Sequence, residues 1–452
     1  MSRLHFASAL LPSGWANDVQ VVITAGAIAE VTPNVAPAAG DERHGIALPG
    51  LASLHSHAFQ RGMAGLAELR GDSTDTFWTW RETMYRFALS MSPEDVTAVA
   101  TLLYVEMLEQ GFTRVGEFHY LHHDRDGSHY ADLGEMAARI AQAAEASSIG
   151  LTLLPSFYAH GSFGGAAPHD GQRRFICSVD QFAALMAASR KAIAALPGAN
   201  IGIAPHSLRA VTPDELAAII PLADGGPVHI HAAEQVKEVE DCLAWSGRRP
   251  VQWLLEHAPL DQRWCLIHTT HTTDEEVTAF AKTGAVAGLC PITEASLGDG
   301  IFPAREFVDA GGAFGVGTDS NVLVGVADEL RQLEYGQRLK HRQRNVLSGG
   351  AGRSTGRTLF DHALAGGSRA LAQAAVGLAP GARADIVTLD TAHPSLAGRQ
   401  GDVAIDGWIF AAGSGAIDCV WAGGHKVVES GRHRLRQTAR GHFNAAIRRL
   451  VA

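Results

Sequence analysis

Eight times between residues 51 and 321 a short apolar run of β character gives way to sequence with helical rhythm. The β-like runs are LASLHSH (51–57), TRVGEFHYL (113–121), LTLLPSFYAH (151–160), ANIGIAPHSLRAV (199–211), GPVHIHAAE (226–234), RWCLIHTTH (263–271), AVAGLCPIT (285–293) and AFGVGTDSN (313–321). Between them, SPEDVTAVATLLYVEMLEQG offers Ser92 as an N-cap, Pro93 at the first helical position and apolar residues at a 3.6-residue period. The same Pro-acid start recurs in TPDELAAII. A strand–helix repeat sustained over roughly 330 residues predicts an α/β fold of the TIM-like (β/α)8 barrel type. No G-x-G-x-x-G opens a helix to favour the alternative, a doubly wound open sheet.

The ends of the chain read differently. Residues 1–48 hold short alternating strands, with VQVVITAGAIAEVTP turning at Gly26, and are too few to bury a core alone. ARADIVTLD (382–390) and the hairpin AIDCVWAGGHKVVESGRH (416–433), turning at Gly423 and Gly424, supply partners from the other end. The expectation is one small β-sandwich domain built from residues 1–48 and 378–452, the latter with a terminal helix, and a barrel inserted between them at 49–377.

Composition narrows the partners. A formal charge of −10 with no Lys/Arg stripe argues against nucleic acid, so an anionic substrate needs local arginines. No apolar run approaches the roughly 18 residues of a membrane span, and the apolar stretch near Met1 is short for a signal peptide. Five scattered cysteines without paired spacing suit buried thiols in the cytoplasm.

The chemistry gathers at the strand ends, where a barrel carries its active site. His55 and His57 stand at i and i+2, so one strand face presents both imidazoles. His231 closes the fifth run with Glu234 three residues on, His268 closes the sixth and Asp319 the eighth. Each alone is as readily a packing residue; of His229 and His231, one is expected to face away. Jointly, imidazoles and carboxylates from several strand ends predict a metal site. His and Asp ligands without thiolate suit Zn²⁺, with Fe²⁺ or Mn²⁺ as alternatives.

These motifs resemble the amidohydrolase superfamily over nearly the whole chain. Its P-G-x-x-x-x-H-x-H opening is Pro49, Gly50, His55 and His57; its H-x-x-E is His231 and Glu234; its closing G-x-x-P-G-x-x-A-D-I-V spans Gly377, Pro380, Gly381 and Ala384 to Val387. The resemblance implies metal ligands His55, His57, His231 and Asp319. The fourth run has no lysine to bridge two metals, so one ion per subunit is implied. Within the superfamily, LHSHAFQRGMAGLAE, FWTWRETMY, EFHYLHH and APHSLRAV are similar to the formimidoylglutamate deiminases of histidine breakdown. That likeness implies that Gln60, Arg81, Tyr120, His206 and Arg209 hold a small dicarboxylate. It implies further that Glu234, His268 and Asp319 share the proton transfers of a hydrolytic deimination, in a homodimer. Two arginine forks match two carboxylates, whereas the competing reading, a guanine or S-adenosylhomocysteine deaminase-like aminohydrolase, calls for stacking aromatics and amides. His119, His122 and His123 are expected to be solvated or packing residues, and the glycine-rich segment 161–175 a lid.

Overall fold

The structure is a computed structural model and describes residues 1–70 and 76–451. Strands β1 (Ser2–Leu11), β2 (Gly14–Thr24) and β3 (Ala27–Thr32) form an antiparallel meander, and β4 (Glu42–Pro49) lies parallel to β1 on its other side. Both residues of the β2–β3 turn, Ala25 and Gly26, have positive φ (50° and 82°), the handedness that matches strand twist in a two-residue hairpin. One residue, Gly50, then separates the terminal sheet from the inserted unit. A Cβ there would lie 2.3 Å from the Thr113 side chain, so only glycine lets the two layers meet.

The inserted unit is parallel throughout. Strands β5 (Leu51–Ser56), β6 (Phe112–His119), β7 (Gly150–Phe157) and β8 (Asn200–Ile201) form one sheet, with β9 (Ala204–Pro205) also pairing to β7. Strands β10 (Val228–Ala232), β11 (Trp264–His268), β12 (Val286–Leu289) and β13 (Ala313–Val316) form another. Parallel bridges run from Ile203 to Val228, from Ser207 to His231 and from Ser56 to Asp319, joining the two sheets at both margins. Every residue of β5, β6, β7, β10, β11 and β12 is buried, as parallel strands covered on both faces require. The fourth predicted strand is split in two. The break falls at Gly202 and Ile203, whose N–H groups still donate to the Leu153 and Pro227 carbonyls at 3.0 and 2.9 Å, and a Cβ on Gly202 would lie 2.2 Å from the Pro227 carbonyl oxygen.

Helices follow the strands, and several begin with reciprocal caps: Ser92 with Asp95, Ser178 with Gln181, Thr212 with Glu215, Thr273 with Glu276. The helix Phe77–Ser90, between β5 and β6, is additional to those read from the repeat. At the other end of the chain, β14 (Ile386–Leu389) pairs antiparallel with β4 and is followed by β15 (Ile417–Ala422), β16 (His425–Glu429) and β17 (Arg432–His433). Both termini thus share one eight-stranded sheet, ordered β17-β16-β15-β14-β4-β1-β2-β3. The helix Arg436–Leu450 packs on Pro93–Glu109. All five cysteines are free and buried, and among the described residues no helix is long and apolar enough to cross a membrane.

Candidate active site

Four side chains from three places in the chain meet at the C-terminal strand ends. One ligand atom from each of His55, His57, His231 and Asp319 lies within 4.8 Å of all the others. Asp319 Oδ1 is 3.3 Å from both His55 Nε2 and His57 Nε2, and His231 Nε2 is 3.2 Å from His55 Nε2. The far nitrogens decide how this cluster behaves. His57 Nδ1 donates to the Phe118 carbonyl at 2.9 Å and His231 Nδ1 to the His206 carbonyl at 2.8 Å. A neutral ring with its hydrogen committed there turns a lone pair inward. Burial lowers the pKa of His57, His231 and His55, the last to about 3, so the neutral form is held. His57 and His231 thus turn lone pairs toward the Asp319 carboxylate and the His55 ring, whose own Nδ1 meets no hydrogen-bond partner among the described residues. That arrangement calls for a cation, and the donor set of three imidazoles and one carboxylate fits a divalent ion.

The backbone is bent to achieve this. Ala233, His268, Thr269, Asp319 and Asn321 all have φ between 44° and 67°, left-handed values that are strained without a glycine. Asn321 braces the bend, its Nδ2 donating to the carbonyls of Asp319 (2.7 Å) and His57 (3.1 Å). His268 Nε2 is 3.7 Å from both Glu234 Oε1 and Asp319 Oδ2, and its Nδ1 bonds Glu294 Oε1 at 3.2 Å. Burial alone would lower the His268 pKa, but the carboxylates of Glu234, Asp319 and Glu294 lift it to about 10. Burial raises that of Glu234, opposed by His268 and Arg209.

Above the cluster opens a cavity, and Gln60, Arg81, Tyr120, His206 and Arg209 all line it, with His57, His231, Glu234, His268 and Asp319 at its floor. Gln60 Nε2 donates to Tyr120 Oη at 2.8 Å. The His206 ring lies 4.8 Å from that of His231. The Arg81 guanidinium sits 4.5 Å over the Trp78 ring, and Arg209 approaches the same ring at 6.0 Å. Among the described residues Arg81 meets no carboxylate, whereas Arg209 Nη1 faces Glu238 Oε2 at 3.2 Å.

Other residues at the site escaped the sequence reading. Glu238 and Glu294 act across turns and neighbouring strands, which no local pattern reveals. Tyr85 lines the cavity one helical turn after Arg81, a spacing that could have found it. His229 faces away, Nε2 on the Ala370 carbonyl at 2.8 Å. His119, His122 and His123 are buried packing residues rather than solvated ones; the ring nitrogens of the last two bond the carbonyls of Ser156 and Ile176. The end of the glycine-rich segment is fastened: Arg174 Nη1 donates to the carbonyls of Ala88 (2.6 Å) and Met91 (2.8 Å), Gln172 Nε2 to Tyr158 Oη (2.7 Å), and Phe175 walls the cavity.

Residues 46–427 match the family model described as Amidohydrolase family. The chain belongs to the amidohydrolase family. Residues 1–45 match a second model, Formimidoylglutamate deiminase HutF, N-terminal domain. This amidohydrolase is 51% identical over 435 residues to the formimidoylglutamate deiminase of Pseudomonas aeruginosa, covering 96% of each chain. It is 29% identical over 357 residues to a 5-methylthioadenosine/S-adenosylhomocysteine deaminase of Natronomonas pharaonis, covering 78% of this chain and 74% of the relative. Among solved structures, an amidohydrolase from Brucella melitensis superposes with a TM-score of 0.97 at 58% identity and full coverage of both chains. An adenosine deaminase from Xanthomonas campestris with bound zinc shares the fold, with a TM-score of 0.80 at 21% identity over 99% of this chain and 98% of its own.

Proposed function

We propose that this amidohydrolase hydrolyses N-formimino-L-glutamate to N-formyl-L-glutamate and ammonia, in histidine breakdown. The observation that carries the reading is a cavity with two arginines on its wall and the inward-facing His/Asp cluster at its floor. Arg81 and Arg209 would grip the two carboxylates, with Gln60, Tyr120 and His206 completing the cradle. His55, His57, His231 and Asp319 would hold one Zn²⁺, whose contribution when bound is to bring the pKa of a water close to 7. Water adds its oxygen to the formimino carbon, the bond to the terminal nitrogen breaks, and that nitrogen leaves as NH₃ with the protons it needs. Asp319 takes a proton from the attacking water. Glu234, whose carboxyl burial favours protonated, hydrogen-bonds the amidine and passes protons to the departing nitrogen, and His268, with Nε2 3.7 Å from both Glu234 and Asp319, orients the attacking water.

The two parallel sheets, bridged at both margins, support a closed (β/α)8 barrel over about 49–377. The terminal sheet, from 1–48 and 378–452, would fold over as a sandwich. In support, Phe6 and Val19 share one apolar cluster with Ile386 and Trp421, and the Gly26 turn meets the Gly423 turn. The family resemblance supports a cytoplasmic homodimer.

Ammonia release from N-formimino-L-glutamate, with guanine and S-adenosylhomocysteine as comparison substrates, tests the reaction. Turnover of the purines and not of the amidine would overturn it. Elemental analysis should find about one zinc per chain, and a chelator should abolish turnover until zinc is restored.

A further inference from the structure

The helix Val236–Ser246 begins two residues after Glu234, and Glu238 in its first turn is completely buried. Its carboxylate turns back on the strand end. Oε1 accepts the backbone N–H of Ala233 at 3.2 Å, and Oε2 accepts that of Glu234 at 3.0 Å. The same Oε2 faces Arg209 Nη1 at 3.2 Å. One oxygen therefore touches both the main chain of the proposed proton carrier and a guanidinium on the cavity wall. Holding the turn at Ala233 (φ 52°) takes both oxygens, and an amide would supply an acceptor for only one of the two N–H groups. A buried carboxylate needs more: its charge must be met, and the only ion-pair partner among the described residues is Arg209.

We propose that Glu238 is a positioning residue that couples Arg209 to Glu234; this rests on the reading that Arg209 grips a substrate carboxylate and Glu234 handles the protons. A guanidinium shared between Glu238 and a substrate carboxylate is held from both sides. The oxygen that steadies it also fixes the main chain from which Glu234 projects. Without the charge at position 238, Arg209 is free to follow the substrate carboxylate, so binding persists, while Glu234 loses part of its anchorage. Chemistry suffers and binding does not, since a displacement near 1 Å can cost about 100-fold in rate.

The test is steady-state kinetics of the zinc-loaded Glu238→Gln enzyme, alone and combined with Arg209→Met. Glutamine keeps one of the two acceptors for the turn and removes the charge, and the Arg209→Met background separates the lost bond from the lost ion pair. The expected result is kcat lowered about tenfold or more with KM unchanged within about twofold or lowered, and a penalty that largely disappears in the Arg209→Met background. A folded Glu238→Gln enzyme with the kcat of the unsubstituted enzyme overturns the coupling, as do equal penalties in both backgrounds. Should Glu238→Gln fail to fold, Arg209→Met alone decides: kcat at saturating substrate must fall, and a pure KM effect overturns the proposal. Turnover by the unsubstituted enzyme is the separate control. Its absence overturns the reaction and the coupling together, whereas normal Glu238→Gln kinetics beside it overturn the coupling alone.

Discussion

Glu234 Oε1 and His268 Nε2 stand 3.7 Å apart at the cavity floor, close enough to share one small molecule between them. Glu234→Gln keeps the shape and hydrogen-bonding capacity but cannot carry a proton. It should lower kcat at least about 100-fold with KM within about threefold, measured by ammonia release. Arg81 contributes differently, since its guanidinium is stacked on Trp78 and meets no carboxylate among the described residues. Arg81→Met should raise KM about 10- to 100-fold, the worth of a charge-assisted hydrogen bond, with a smaller effect on kcat. At this scale the residues that cluster at the cavity floor and line its wall were legible because each sits at a strand end or in a recognisable segment. Glu238 and Glu294 were not, because each is a carboxylate in the first turn of a helix after a strand, and nothing local marks one that folds back on the strand ends.

Among the elements, β5 and the segment after β13 decide the site, and a glycine sets their spacing. A Cβ on Gly317 would lie 2.8 Å from both the backbone nitrogen and the carbonyl oxygen of His55. Backbone meets backbone there, so neither side can rotate away. Gly317→Ala should push the His55 segment off Asp319 and weaken binding of the proposed zinc ion about tenfold or more, read by competition with a chelator, while the protein stays folded by circular dichroism. Strand and helix order was readable because parallel strands and their covering helices carry different periods and the helices carry reciprocal caps. The split of the fourth strand was not, since the close approach of the Pro227 carbonyl to Gly202 is a contact across the sheet. The helix Phe77–Ser90, which carries Arg81 and Tyr85 to the wall, falls outside the strand–helix count for a similar reason: it is an insertion whose place depends on what it covers.

The whole molecule stores several histidines in neutral form, and this should make it acid-labile. His433 joins the terminal sheet to the inserted unit: its Nε2 bonds the Ser147 carbonyl at 3.1 Å, and its Nδ1 accepts the Leu435 N–H at 3.0 Å. Protonating Nδ1 would destroy that acceptor, and burial lowers the His433 pKa to about 4. His229 is likewise lowered to about 4 by burial. Unfolded, each titrates near 6.5. Between those values the unfolded chain binds more protons than the folded one, so stability rises with pH. The stabilisation is fully present above about pH 6.5 and is lost as pH falls through about 4. Urea midpoints should drop across that window with more than one proton taken up on unfolding, and His433→Gln should drop less steeply. The sequence by itself determined the strand–helix order, the pairing of imidazoles at i and i+2 and the sharing of one sheet by both chain ends, because periodicity, caps and turns act over a few residues. Tertiary structure alone decided which ring nitrogens face inward, which carboxylates brace them and how far apart the two arginines stand. Those depend on carbonyls, aromatic rings and glycine contacts from strands far apart in sequence, and no local preference encodes a distance through space.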